Sequence, residues 1–164
     1  MSAAEALLPE FDTEMATTRR VLERVPTDRG QWKPHQKSFA LGHLAQLVSS
    51  MPSWITRTLK ERELDLASGS GYSYESTETL LSRFDDNVRE ARDAIASVKD
   101  AEYTKTWALK HGDQVLFSAP RDTVVRQHIN HLIHHRGQLS VYLRLLDVPV
   151  PSIYGPTADE KPWG

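Results

Sequence analysis

The residues best suited to chemistry are histidines, and four of the seven fall within eight positions: His128, His131, His134 and His135. On an α-helix, at roughly 100° per residue, His131 and His135 lie ~40° apart and one turn above each other. Two imidazoles so placed can converge on one divalent ion, as in other helical zinc sites. The stripe continues through Val124, His128, Gln138 and Tyr142. A third ligand must come from another segment, and His43 is the best placed. It precedes Leu44 by ~100° at the edge of an apolar stripe, the offset that His131 has from Leu132. If those stripes pack together, His43, His131 and His135 face one cavity. A lone histidine beside an apolar face is more often a structural hydrogen-bonder, so the spaced pair carries more weight than His43. His134 points ~100° away from His135 and reads as exposed or structural. His35 and His111 fall in loops.

Other chemistries leave no trace. There is no serine or cysteine nucleophile motif, no glycine-rich phosphate loop and no acid/base pair of carboxylates. Trp32, Trp54, Trp107 and Trp163 read as packing residues rather than a ligand cage. The chain lacks cysteine, which excludes disulfides and zinc–thiolate centres and fits a reducing compartment. Its 20 basic and 22 acidic side chains produce a formal charge of −2, a poor match for nucleic acid. Neither a signal-peptide pattern nor an apolar run of roughly 18 residues is present, so the expectation is a cytoplasmic protein with no membrane partner.

The 164 residues suit one domain over residues 1–164. Helical spacing joins Leu7, Leu8, Phe11, Met15, Leu22 and Val25, and Pro26 to Gly30 ends that segment. Ser38 is an expected N-cap for a second helix over Phe39 to Lys60, with a kink at Pro52. Ala67 to Ser73 reads as a loop. A third helix begins near Ser76, with Leu81, Phe84, Val88, Ala91, Ile95 and Val98 on one face and surface pairs Asp85–Arg89 and Arg89–Asp93 on the other. Residues 104–109 and 114–117 flank a glycine turn and predict a small hairpin. The fourth helix follows Pro120 and runs to about Leu146, its apolar seam broken only by Arg136, and a proline-rich extended tail follows. The expected class is therefore an all-α four-helix bundle with a small β-hairpin before its last helix.

The run His131-Leu132-Ile133-His134-His135-Arg136-Gly137-Gln138-Leu139, continuing through Tyr142 to Val148-Pro149-Val150-Pro151 and Tyr154-Gly155-Pro156, resembles the DinB/YfiT-like family of metalloenzymes. Lys33 to Ser38, Leu41-Gly42-His43-Leu44 and Met51-Pro52-Ser53-Trp54 match it in the same order. The resemblance implies up-down-down-up connections, a homodimer, and a nickel or zinc ion held by three histidines with water in the open positions. Two of those histidines map onto His131 and His135. Many relatives place the third in a GxLxxH pattern, a position filled here by Leu47, whereas His43 stands one turn earlier, about 5.4 Å along the axis. The implied activity is that of a thiol-dependent S-transferase or isomerase, with a low-molecular-weight thiol beside a small-molecule substrate, or of a hydrolase. The rival expectation is a non-catalytic, dimeric stress-response bundle, metal-binding or metal-free.

Overall fold

The computed structural model describes residues 1–68 and 71–161. Trp163 and part of the expected loop, residues 69 and 70, lie outside the described residues. Four long helices pack together: α1 (Ala3–Leu22), α2 (Leu41–Lys60), α3 (Thr77–Ser97) and α5 (Arg121–Leu145), with the single-turn α4 (Asp100–Tyr103) before the last. Helix α2 packs against α3 and α5, and α1 closes the opposite side against the same two helices. The apolar stripes expected from the spacing form the core. Phe11, Leu44, Val48, Phe84, Ile95, Val125, Ile129, Leu132, Leu139 and Leu143 are all at most 1% exposed. Each such aliphatic or aromatic side chain contributes about 1.5–3 kcal/mol when taken from water.

The all-α expectation is overturned. Strands β1 (Glu63–Asp65), β2 (Thr106–His111) and β3 (Gln114–Pro120) form a three-stranded mixed sheet in the order β1-β2-β3. The hairpin of β2 and β3 was legible, and Gly112 takes φ 58° at its turn, a left-handed conformation that glycine adopts without strain. Strand β1 was not legible. Three residues are too few to show alternation, and its parallel partner β2 lies some forty residues away, pairing Leu64 with Leu109. Helix α4 is likewise too short for a helical period to register.

Boundaries differ for identifiable reasons. Helix α1 begins at Ala3, where Ser2 and Glu5 form a reciprocal capping box. Ser38 is not the cap of α2. The cap is Ala40, and the first amides of the helix are satisfied by the preceding loop, Leu41 N donating to Trp32 O (2.8 Å) and Gly42 N to Gly30 O (2.9 Å). Helix α2 continues through Pro52 to Lys60. Ser76 does cap α3, accepting from Thr79 N. The expected pairs along α3 are replaced: Arg89 pairs with Asp86, and Asp85 receives Arg19 of α1 at 2.8 Å. No helix of the described residues is long and apolar enough to cross a membrane.

The interruption of the α5 seam has a structural answer. Arg136 is 1% exposed and meets the Glu14 carboxylate at 2.8 Å. It also donates to the Glu14 carbonyl and the Thr18 hydroxyl, both at 3.1 Å, and to the Tyr154 hydroxyl at 2.8 Å. Tyr154 in turn donates to the Glu14 carboxylate. One buried cation thus ties α1, α5 and the C-terminal tail, with its charge compensated as burial requires.

Candidate functional site

The polar stripe of α5 faces two different environments. Its N-terminal half, Val124, His128 and His131, lines a cavity of about 750 Å³ between the α2/α5 pair and the sheet. That volume lies within the range of small-molecule sites. Helix α2 contributes Gln46, Ser50, Trp54 and Arg57, the sheet contributes Leu64, Asp65, Trp107, Leu109 and Phe117, and Tyr72 closes one side. The C-terminal half reaches the start of α2, where the Tyr142 hydroxyl donates to Phe39 O (3.2 Å) and its ring meets Trp32 edge-on.

His131 and His135 are brought together as their spacing demands, Nε2 to Nε2 at 2.9 Å. The hydrogen positions follow from chemistry. Gln138 Oε1, 2.7 Å from His135 Nδ1, can only accept, so Nδ1 carries the proton. With His135 neutral, its Nε2 then accepts from the Nε2–H of His131. Partial burial and the neighbouring His135 lower the affinity of His131 for a second proton.

His128 sits deeper in the same wall. Its Nε2 is 3.1 Å from the hydroxyl of the fully buried Thr58, and its ring meets Trp54 and Trp107 edge-on. Burial, with a smaller repulsion from His131, pushes its pKa down to about 4. It is therefore neutral at physiological pH.

His43 does not join the pair. Its ring stacks on Phe39 at 4.5 Å and lies 4.2 Å from Tyr72, lining a neighbouring pocket of about 300 Å³ rather than the cavity of His131. The packing is set by glycine. A Cβ on Gly42 would stand 2.6 Å from the Tyr74 ring, so only glycine lets the segment after residue 71 cross the start of α2 and bring Tyr72 onto His43. Burial, and after it Lys33, lowers the pKa of His43. Phe39 also neighbours His135, its ring centre 6.3 Å away, so one aromatic ring lies beside two of the three histidines that the metal reading would join. Leu47, where many relatives of the family it resembles place a ligand, is 6% exposed and belongs to the core.

Among the described residues no group of three or more histidine, aspartate or glutamate side chains is placed to hold a metal ion. Tested against a three-histidine centre, the arrangement supplies two converging nitrogens and lacks the third. His134 is exposed, as expected. Trp54 and Trp107, read as packing residues, turn out to be cavity walls. Gln46, which also lines the cavity, was missed because a single polar residue at helical spacing carries no signal. Glu14 could have been found. It falls on the Leu7, Phe11, Thr18 stripe of α1, and a charge there requires an opposite charge, such as the one that interrupts the α5 seam.

A helical bundle with a small sheet folded over one side, and a histidine pair at the rim of the intervening cavity, defines a class of small bundle proteins. The chain belongs to the DinB family, whose model matches residues 1–162. Two crystal structures share the fold. A DinB-like protein from Bacillus cereus superposes with a TM-score of 0.69 at 22% identity, covering 92% of this chain and 97% of that one. The DinB-like protein YjoA from Bacillus subtilis has a TM-score of 0.68 at 14% identity, covering 87% and 93%. No curated protein sequence matches the chain.

Proposed function

We propose that the protein is a metal-dependent enzyme that binds a small organic substrate in the cavity beside His131 and acts on it by thiol transfer, isomerisation or hydrolysis. The observation that carries this reading is the convergence of the His131 and His135 Nε2 atoms, 2.9 Å apart, beside that cavity. His131 and His135 would hold a divalent nickel or zinc ion, and His43 would complete the set once its ring left the stack between Phe39 and Tyr72. A divalent ion held there would supply Lewis acidity, which lowers the pKa of a bound water or thiol. Gln138 orients His135 by fixing its Nδ1 proton, the support that metal-binding histidines commonly receive from a neighbouring acceptor. To offer Nε2 to an ion, a neutral His131 would carry its one proton on Nδ1 instead. Trp54 and Trp107 flank His128 edge-on in the cavity wall, where it stays neutral. The family resemblance adds a homodimer to the proposal, for which the half-exposed Val141 and Leu145 offer apolar surface on α5.

Calorimetric titration of chelator-treated protein with zinc and nickel tests the metal. About one ion per chain is expected, and His131→Ala and His135→Ala should each abolish binding. Wild-type affinity in both variants would overturn the assignment.

A second reading has its own support. His131 and His135 are hydrogen-bonded to each other and His43 is packed between Phe39 and Tyr72, contacts that a metal-free binding module could keep as they are. Absence of any metal binding in the titration would favour it.

A further inference from the structure

Positive charge gathers at one corner of the fold without being matched. Lys60 ends α2, Arg62 follows two residues later, and Arg121 opens α5. Backbone hydrogen bonds draw the start of β2 against both segments, Ala108 N donating to Arg62 O (3.3 Å) and Arg121 N to Lys105 O (3.0 Å). Lys60, Arg62, Lys105 and Arg121 thereby line one pocket of about 480 Å³. Glu102 is the one carboxylate in its wall, and two cations already share it: Lys105 Nζ at 2.6 Å and Arg121 Nη1 at 2.9 Å. Four cations against one carboxylate leave an excess of three positive charges, in a chain whose formal charge is −2.

The neighbouring acids do not restore the balance. Glu61 pairs with Arg57 at 3.4 Å and Glu63 with Lys110 at 3.3 Å. Among the described residues neither Lys60 nor Arg62 has an ion-pair partner. Arg121 is fixed in place, being 5% exposed and donating through Nη2 to the Glu61 carbonyl at 2.9 Å. Lys60, Arg62 and Lys105 are exposed and can turn towards a ligand. A concave wall of one sign concentrates the field where a counter-ion sits. Leu59 is the one apolar residue of the lining, so the occupant is held by charge rather than by apolar contact. A phosphate monoester carries about −1.5 to −2 at neutral pH and leaves part of the excess unmatched. Two linked phosphates meet it.

We propose that this pocket is an anion site for a diphosphate group, free or on a small metabolite, held by Lys60, Arg62 and Lys105 beside the fixed charge of Arg121. The pocket shares no lining residue with the cavity of His131, so the assignment stands apart from the metal-dependent reading.

The test titrates chelator-treated full-length protein with orthophosphate, pyrophosphate and adenosine diphosphate in about 0.15 M potassium chloride, read by calorimetry and by backbone amide shifts. Pyrophosphate should bind about tenfold more tightly than orthophosphate and move the amides of Arg62, Lys105 and Thr106. Adenosine diphosphate binding as tightly as pyrophosphate supports a metabolite-borne diphosphate, and binding tenfold weaker supports the free anion. The double variant Lys60→Met, Arg62→Met should lose about tenfold in pyrophosphate affinity, and both side chains are exposed, so the fold should survive. The control removes two exposed cations at the opposite end of α2, Arg29→Met with Lys37→Met, about 30 Å away. It should lose less than about twofold, because salt screens charges beyond about 8 Å. Equal losses in the two double variants, equal affinity for orthophosphate and pyrophosphate, or no pyrophosphate binding at about 5 mM would overturn the proposal.

Discussion

His43 and His135 share a neighbour but not a site: Phe39 stacks on the first at 4.5 Å and lies 6.3 Å from the second, ring centre to ring centre. Helices α2 and α5 therefore bring His43 and His135 to the same aromatic ring without joining them.

From this follows an unequal dependence on the three histidines. His131→Ala or His135→Ala removes one of two already converging nitrogens. His43→Ala removes a ring that must first leave its stack. Zinc affinity measured by competition with a chromogenic chelator should fall by orders of magnitude for the first two. For His43→Ala it should fall less steeply, because opening the stack with Phe39 and Tyr72 offsets part of what a third ligand contributes. An unchanged zinc affinity in His43→Ala would remove His43 from the ligand set.

Acid should destabilise the metal-free protein through His128. Its folded pKa is about 4 against an ordinary value near 6.5, so the folded state resists a proton that the unfolded chain accepts. Above pH 6.5 both states are neutral and there is no penalty. As pH falls from 6.5 towards 4 the unfolded state gains protons first, and stability drops by on the order of 3 kcal/mol from this group. The pKa values of His43 and His131 are lowered too, and they add in the same direction. Urea midpoints of chelator-treated protein should decline over that window, and His128→Phe should flatten the decline. An unchanged slope in the variant would refute the role of His128.

The Arg136–Glu14 pair should matter to stability rather than to metal binding. Removing the cation leaves a carboxylate that is largely buried, so Arg136→Leu should cost about 3–5 kcal/mol. Tyr154→Phe removes only one hydroxyl that bridges the pair and should cost about 1–2 kcal/mol. Denaturant unfolding of both variants measures this, and a loss below about 1 kcal/mol for Arg136→Leu would show that the network is dispensable.

Local period alone determined the four long helices, the Ser76 cap, the β2–β3 hairpin and the meeting of His131 with His135. In each case the interacting residues are neighbours along the chain, and helix pitch or turn chemistry dictates their geometry. Tertiary packing decided the rest. The parallel pairing of β1 with β2 joins segments that share no local signal, and it turns an expected all-α bundle into one with a mixed sheet. Only that sheet sets Trp107 opposite His128 and encloses the cavity. The position of His43 is likewise a property of packing. A ~100° rotation or a 5.4 Å shift of one helix against another changes which side chains meet, and no repeat within either helix encodes it. Here the contact of Gly42 with Tyr74 draws Tyr72 onto His43 and holds its ring apart from the α5 pair, because only a residue without a Cβ admits the crossing chain so closely.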